Sequence, residues 1–451
     1  MTQHNLPVPG AKPAGEPSDG SGGALALLKQ FSTLHPRAWD LGLERLERLL
    51  GELGHPERRL PSVFHIAGTN GKGSTVAFLR SCLEASARSV HAYTSPHLVR
   101  FNERIRVAGN LVSDADLLEA LRHCETVNGA KPITFFEATT AVALWLFSKN
   151  AADATLLEVG LGGRLDATNV VQSPVMSAIT PVSMDHMGFL GDTIEKIAAE
   201  KAGILKPGVP CVVANQRPEA LEVIRAVAHR VGAPLIEQGQ DYMVYEEHGR
   251  LVYQDGFGLL DLPLPRMHGR HQLENAGTAI ACLRHTDFAV SDSEFAQGVQ
   301  TAFWPARLQK LGGDLASLAP SCDVWVDGGH NAGGGQALAE AMADLEDRVP
   351  RPLYLVSGLM RTKSAVDFFR PFEGLARQVI GVPIPDQENA LDPVTVAESA
   401  SEAGTMGSIS PSIEDALSEI ESSAGEPARI LICGSLYLAG SALSADGFVL
   451  E

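Results

Sequence analysis

The chain has 451 residues, 45% of them hydrophobic and 20% charged, and its 36 Lys plus Arg stand against 54 Asp plus Glu for a formal charge of −18. That length exceeds what one hydrophobic core normally supports, so at least two domains are expected, and no apolar run approaches the roughly 18 residues of a membrane span. The acidic balance argues against non-specific binding to nucleic acid or anionic lipid, so an anionic ligand has to be met by a local basic site.

The six cysteines are scattered without a CxxC pair or zinc-like spacing, and no signal-peptide-like segment is recognisable, which predicts a cytoplasmic protein with reduced thiols. Residues 1–23 are Pro, Gly, Ser and polar, and read as a disordered lead. Beyond them, apolar periodicity predicts helices at Trp39–Leu53, Ser74–Ala87, Ser113–Val127, Glu137–Lys149 and Thr193–Leu205. Short strands between them are predicted at Ser62–Ala67, Val90–Thr94, Thr155–Val159, Val175–Thr180 and Pro210–Ala214. Such alternation predicts an α/β fold with a mostly parallel sheet covered on both faces. Tyr242–Leu262 alternates around two turn signals, predicting antiparallel strands on one edge of that sheet before a helix at Gln272–Arg284. A second alternating series follows Trp304-Pro305, with strands at Asp323–Asp327, Leu353–Ser357, Val379–Val382 and Arg429–Cys433. It predicts a smaller α/β domain over 305–451 after a larger one over 24–304.

The strand Val63–Ala67 runs into Gly68-Thr69-Asn70-Gly71-Lys72-Gly73-Ser74 and then into a helix. Glycines let successive amides face an anion, the helix N-terminus adds its positive dipole end, and Lys72 adds a full charge, so the segment reads as a nucleotide phosphate cradle. It departs from GxxxxGK[ST], with Ile66 where the first glycine belongs and Gly73 between Lys72 and the hydroxyl residue; a tight turn with an exposed lysine is the plainer alternative.

Four further segments stand out. Glu158 ends an apolar strand and is followed by Gly160, Gly162, Gly163 and Arg164; at the carboxyl end of a parallel strand it occupies the place of a magnesium-holding acid, unless it merely faces solvent. Asp185-His186 follows another strand, and since magnesium prefers oxygen, His186 by itself reads as a loop histidine. Lys201 in Glu200-Lys201-Ala202-Gly203 reads as a solvated helix lysine, or else as an amine that adds carbon dioxide to present two oxygens to a metal. Asp327-Gly328-Gly329-His330-Asn331, with Ala306-Arg307, offers an acid and a guanidinium to a nucleotide, or a turn with a helix cap.

Together with Leu41–Arg45, Tyr93–Ile105, Phe135-Phe136-Glu137 and His271–Ala276, these segments resemble, in order and over nearly the whole chain, the folylpolyglutamate synthase/dihydrofolate synthase family of the Mur ligase superfamily. The resemblance implies an N-terminal P-loop ATPase domain joined to a Rossmann-like C-terminal domain. It implies that Thr69, Asn70, Gly71, Lys72 and Gly73 cradle ATP and that Asn275, Arg307 and Asp327 also contact it. Ser95, Glu158 and His186 would ligate magnesium, and Lys201, as a carbamate, would help hold a second magnesium, so Lys72, His186 and Lys201 become the catalytic candidates. Thr134, Phe135, Phe136, Glu137, Leu165, Asp166 and Ala167 would contact a pterin-bearing substrate. The family often has glycine where Ala306 stands and alanine where Gly329 stands.

The activity so implied is ATP-dependent addition of L-glutamate to dihydropteroate, or to the γ-carboxylate of a folate, through an acyl phosphate. A monomer is the default expectation, and the acidic balance and the lack of a long apolar run predict no nucleic-acid or membrane partner. Another Mur-type ligase with a UDP-linked acceptor, and a non-catalytic nucleotide switch, are the two rival readings.

Overall fold

A computed structural model of the chain describes residues 21–35 and 40–450. The lead expected over 1–23 lies outside the described residues up to 20, and a helix spans Ser21–Thr33. Two compact units form. Of the described residues, the first comprises those up to Val182, Asp192–Leu264 and Glu274–Ala302; the second comprises Ser183–Gly191, Pro265–Leu273 and those from Phe303 on.

The first unit is built on an eight-stranded sheet in the order β4-β3-β2-β5-β1-β6-β7-β8. Its strands are β1 (Ser62–Ala67), β2 (Val90–Tyr93), β3 (Ile105–Val107), β4 (Asn110–Leu111), β5 (Ala154–Glu158), β6 (Met176–Ile179), β7 (Cys211–Val213) and β8 (Leu235–Glu237). All neighbours are parallel except β2–β3 and β3–β4. β1 lies between β5 and β6, and its residues from Val63 to Ala67 are all buried, as expected of a parallel strand covered by helices on both faces.

Helix starts follow local hydrogen bonding. Thr134 Oγ1 accepts from the Glu137 amide while the Glu137 carboxylate accepts from the Thr134 amide, a reciprocal box that starts the helix Phe135–Lys149. This helix packs Leu144, Leu146 and Phe147 into a core shared with Leu46, Leu49 and Leu50 of the helix Glu44–Glu52. The helix expected from Trp39 thus begins at Glu44, with residues 36–39 outside the described set.

Residues Tyr242–Glu247 (β9), Arg250–Asp255 (β10) and Gly258–Pro263 (β11) make a separate three-stranded antiparallel sheet, not an edge of the large one as the alternation suggested. Strands this polar on one face have nothing to gain from a sheet buried on both faces, and they pack one side on helices instead.

The second unit carries a six-stranded sheet, β12-β13-β17-β14-β15-β16, with β12 (Gln309–Lys310), β13 (Asp323–Val326), β14 (Leu353–Ser357), β15 (Ala376–Gly381), β16 (Gly407–Ile409) and β17 (Arg429–Cys433). All its pairs are parallel except β12–β13. Phe368, Phe369 and Phe372 pack with Leu338, Met342, Leu355 and Leu431 in its core. Two segments inside the range 24–304 group with this unit because side chains tie them there. Asp185 is held by Lys363 and by Asn331 Nδ2 at 2.9 Å, and Arg270 pairs with Asp344 at 2.8 Å. Among the described residues no helix is long and apolar enough to cross a membrane.

His65 in the middle of β1 is fully buried; burial, with a smaller contribution from the charge of Lys206, lowers its pKa to about 3. Below pH 6.5 the unfolded chain takes up a proton that the folded chain refuses until about pH 3, so stability is complete above 6.5 and falls as pH drops through that window. This one group lowers stability by about 1.4 kcal/mol per pH unit there. Thermal unfolding at pH 7 and pH 5 is expected to show a smaller acid-induced drop in Tm for His65→Leu than for the parent chain; equal drops would contradict it.

Candidate active site

The carboxyl ends of β2, β5, β1 and β6 lie side by side in the first unit, and the chain leaves each of them through a residue singled out in the sequence. After β1 the loop reaches the helix Lys72–Ala85, two residues earlier than expected. Gly68 has φ +149°, and a Cβ there would sit 1.8 Å from Thr180 Oγ1 beyond the end of β6. Gly71 has φ +87°, and its Cβ would fall 2.3 Å from Asn275 Oδ1, so glycine is what lets the loop close onto Asn275. The loop's far side is pinned by the Pro181 carbonyl, which accepts from the amides of Thr69 at 3.0 Å and Asn70 at 3.3 Å.

Two ammonium groups converge on one atom of this loop. Lys72 Nζ donates to the carbonyls of Gly68 and Thr69, both at 3.1 Å, and Lys201 Nζ donates to the same Gly68 oxygen at 2.7 Å. Lys201 comes from the helix Ile194–Ala202, which Thr193 caps by accepting from the Lys196 amide, and it is 4% exposed. It is therefore not a solvated helix lysine. On β1's other flank, Glu158 ends β5 in register with Ile66, is buried, and accepts from the Ser95 amide at 3.1 Å, which brings together two of the expected metal ligands.

The segments expected to meet the pterin-bearing substrate are also adjacent. The Phe136 ring lies against Gly160, where a Cβ would be 2.4 Å from Phe136 Cζ, and it stacks 6.0 Å from Tyr93. Phe135 meets Phe101 edge-on at 6.1 Å. The turn after β5 is shaped by Asp166, whose Oδ2 accepts from the amides of Gly160 and Leu161 and whose Oδ1 accepts from the amide and hydroxyl of Thr168. Burial raises the Asp166 pKa against these hydrogen bonds. Leu165 and Ala167 flank it, and the turn docks on the Lys201 helix through Arg164, which pairs with Glu200 at 2.9 Å. Glu137 is engaged in the helix cap and in an ion pair with Arg45 at 2.9 Å, so its carboxylate supports this wall from behind. That pair links two segments, Leu41–Arg45 and Phe135–Glu137, whose connection the sequence does not display.

In the second unit, His186 starts a short helix with φ +50°, its side chain 39% exposed. Its neighbour Asp185 is buried, which would raise its pKa, but the hydrogen bond from His330 and the charges of His186, His330 and Lys363 hold it well below the usual carboxylate range. Lys363 carries no sequence signal that would have marked it. Asp327 accepts from the amides of Gly329 at 2.6 Å and Leu308 at 2.8 Å, while Arg307 Nη1 donates to the Ala306 carbonyl at 2.8 Å. Arg307 and Asp327 are thus on adjoining loops. Ala306 adopts φ +52°, the conformation that suits the family's glycine, and Gly329 permits a close approach of Leu338, whose Cδ1 would lie 2.7 Å from an added Cβ.

Among the described residues no three His, Cys, Asp or Glu side chains gather into a metal cage. A hard cation that keeps waters and binds through one or two carboxylates plus phosphates does not need one, and the Glu158 carboxylate beside Ser95 supplies oxygen donors of that kind.

The loop geometry makes a direct stability prediction. Gly68→Ala is expected to cost about 2–3 kcal/mol through steric conflict and backbone strain. Thr180→Ala in the same chain should recover part of the loss in thermal unfolding, and an unchanged Tm for Gly68→Ala would contradict the geometry.

Models of known families match along the chain: the Mur ligase middle domain over residues 66–283 and the Mur ligase glutamate ligase domain over 307–436. A dihydrofolate synthase/folylpolyglutamate synthase of Bacillus subtilis is 35% identical over 414 residues, 88% of this chain and 93% of that protein. A folylpolyglutamate synthase of Lacticaseibacillus casei is 33% identical over 88% of this chain and 92% of its own length. Among solved structures, Escherichia coli FolC in complex with DHPP and ADP superposes with TM-score 0.84 at 31% identity, covering 93% of this chain and 97% of that one. A bifunctional folylpolyglutamate synthase/dihydrofolate synthase from Yersinia pestis complexed with AMPPNP and Mn ion gives TM-score 0.84 at 29% identity, covering 95% of this chain and 99% of that one. The chain belongs to the folylpolyglutamate synthase/dihydrofolate synthase family of Mur ligases.

Proposed function

We propose that this chain is an ATP-dependent ligase that joins the amino group of L-glutamate to the carboxylate of dihydropteroate, to the γ-carboxylate of a reduced folate, or to both. The observation that carries the reading is the convergence of Lys72 and Lys201 on the Gly68 carbonyl, next to the Glu158–Ser95 contact and the Phe136–Gly160 wall. Charge for a polyphosphate and an aromatic wall for a pterin belong to the same unit. Support comes also from the relatives, one solved with DHPP and ADP and another with Mn, AMPPNP and L-glutamate.

A carboxylate is a poor acyl donor because its leaving group would be oxide. Its oxygen therefore attacks the γ-phosphorus of ATP, the bond to the β-phosphate oxygen breaks, and ADP leaves. The glutamate amine then attacks the acyl phosphate carbon, loses a proton, and expels inorganic phosphate. Bringing one anion onto another requires charge cancellation and in-line positioning. Lys72, turning from the loop carbonyls to the phosphates, supplies the first, and the amides of Lys72 and Gly73 at the helix start, with Asn275, orient the chain of phosphates, the Thr69 and Asn70 amides being held by Pro181. Glu158 and Ser95 would hold magnesium, which would supply further neutralisation of the phosphates. His186 on the second unit is proposed as a metal ligand, and Arg307 and Asp327 as nucleotide contacts. Lys201 is proposed to carry a carbamate, whose oxygens would help to hold a second magnesium. Phe135, Phe136 and the Asp166 turn hold the acceptor.

ADP release measured with L-glutamate and either dihydropteroate, tetrahydrofolate or a UDP-muramyl acceptor tests the assignment. Turnover is expected with one or both pterin acceptors and only when glutamate is present; turnover with the UDP-linked acceptor alone, or ADP release indifferent to acceptor and glutamate, contradicts it. Lys201→Ala is expected to lose at least about a hundredfold in kcat. Short-chain carboxylates should restore part of that rate, and a parental rate in the variant contradicts the carbamate.

A further inference from the structure

His65 has no role in the chemistry above, yet it sits fully buried at the centre of β1. Its Nδ1 has no hydrogen-bond partner, which makes the imidazole a costly choice for a core position where an aliphatic side chain would leave nothing unsatisfied. What the imidazole does make is one contact, Nε2 to Thr168 Oγ1 at 2.8 Å.

Valence fixes the direction of every bond in the chain that follows. Thr168 Oγ1 lies 2.6 Å from Asp166 Oδ1, and a carboxylate only accepts, so the hydroxyl proton points to Asp166. The same hydroxyl oxygen must then accept from His65, which sets the imidazole as the Nε2–H tautomer and leaves Nδ1 the bare nitrogen, in keeping with its lack of a partner. Asp166 Oδ1 also takes the Thr168 amide at 2.9 Å, and Oδ2 takes the amides of Gly160 at 3.0 Å and Leu161 at 2.9 Å. A single polarised series thus runs from β1 through Thr168 and Asp166 into the main chain of the turn that backs Phe136.

We propose that His65 is a positioning residue for the acceptor turn 160–166, acting through the Thr168 hydroxyl to hold Asp166 on the Gly160 and Leu161 amides. An apolar residue in β1 would leave the Thr168 hydroxyl free to rotate away from Asp166, and the turn would lose its fixed relation to the strand that feeds the phosphate loop. The inference rests on the proposed function only for the identity of the acceptor.

The test uses the full chain as His65→Leu and His65→Gln, the glutamine amide being able to donate from the place of Nε2. Amide hydrogen exchange is read for the turn and for the β5 ladder, alongside KM for the pterin acceptor and for ATP. His65→Leu is expected to speed exchange at Gly160 and Leu161 roughly tenfold with β5 unchanged, and to raise the acceptor KM by a similar factor with the ATP KM within about twofold, as loss of one hydrogen bond in a charged series would do. His65→Gln should restore both. Unchanged exchange in His65→Leu, failure of glutamine to restore it, or an ATP KM that rises in step with the acceptor KM overturns the proposal. Should the leucine variant not fold, Thr168→Val breaks the same series from its middle and is read by the same criteria. If the parent chain shows no acceptor-dependent ADP release, the proposed function fails, while the exchange data still decide the role of His65.

Discussion

The Gly68 carbonyl oxygen is the pivot of this molecule. Lys72, at the start of the helix that follows the glycine loop, and Lys201, from a helix more than a hundred residues later, both donate to it, so two amino groups meet on one atom just ahead of a helix N-terminus. In a chain with formal charge −18, Lys72 at that helix start is a local reversal of sign. Its effect on an incoming anion is short-ranged, because salt screens the rest of the surface over roughly 8 Å at physiological ionic strength while the partly enclosed Lys72 keeps its field.

Sheet topology makes that convergence possible. β1 is flanked by β5 and β6; Gly68 and Thr180 directly follow β1 and β6 and Glu158 ends β5, so the glycine loop, a strand-end acid and the loop's steric support arise from neighbouring strand ends. Parallel strands with helices on both faces always bring their carboxyl ends together in this way, and the chemistry is then a matter of which residues the loops carry. Here the loops also support one another: Phe136 lies on Gly160, Arg164 docks on Glu200 beside Lys201, and Arg45 holds Glu137 behind the aromatic wall.

Legibility in the sequence follows from how local each signal is. β1, β14 and β17 have the limits that their apolar runs predict, since a strand buried on both faces is mostly apolar. β3, β4 and β12, two or three residues long and containing Arg106, Asn110 and Lys310, carry no such pattern and go unseen. The membership of 183–191 in the second unit depends on Asp185 meeting Lys363 across 178 residues, a pairing no window of sequence can display. Lys201 shows the same limit at the site: a lone lysine on a helix looks solvated, and only its burial against Gly68 separates it from a surface charge. Resemblance to a family supplied what periodicity could not, because an ordered set of short motifs encodes contacts between distant segments.

On the proposed function, the glycine loop between β1 and its helix receives the phosphates of ATP with Lys72 as their counter-charge. A crystal structure of the chain with a non-hydrolysable ATP analogue and magnesium tests this most directly. The β- and γ-phosphates are expected against residues 68–73, with Lys72 Nζ moved from the carbonyls of Gly68 and Thr69 to phosphate oxygens. A nucleotide bound with its phosphates away from this loop, or bound there with Lys72 still on the two carbonyls, would contradict it.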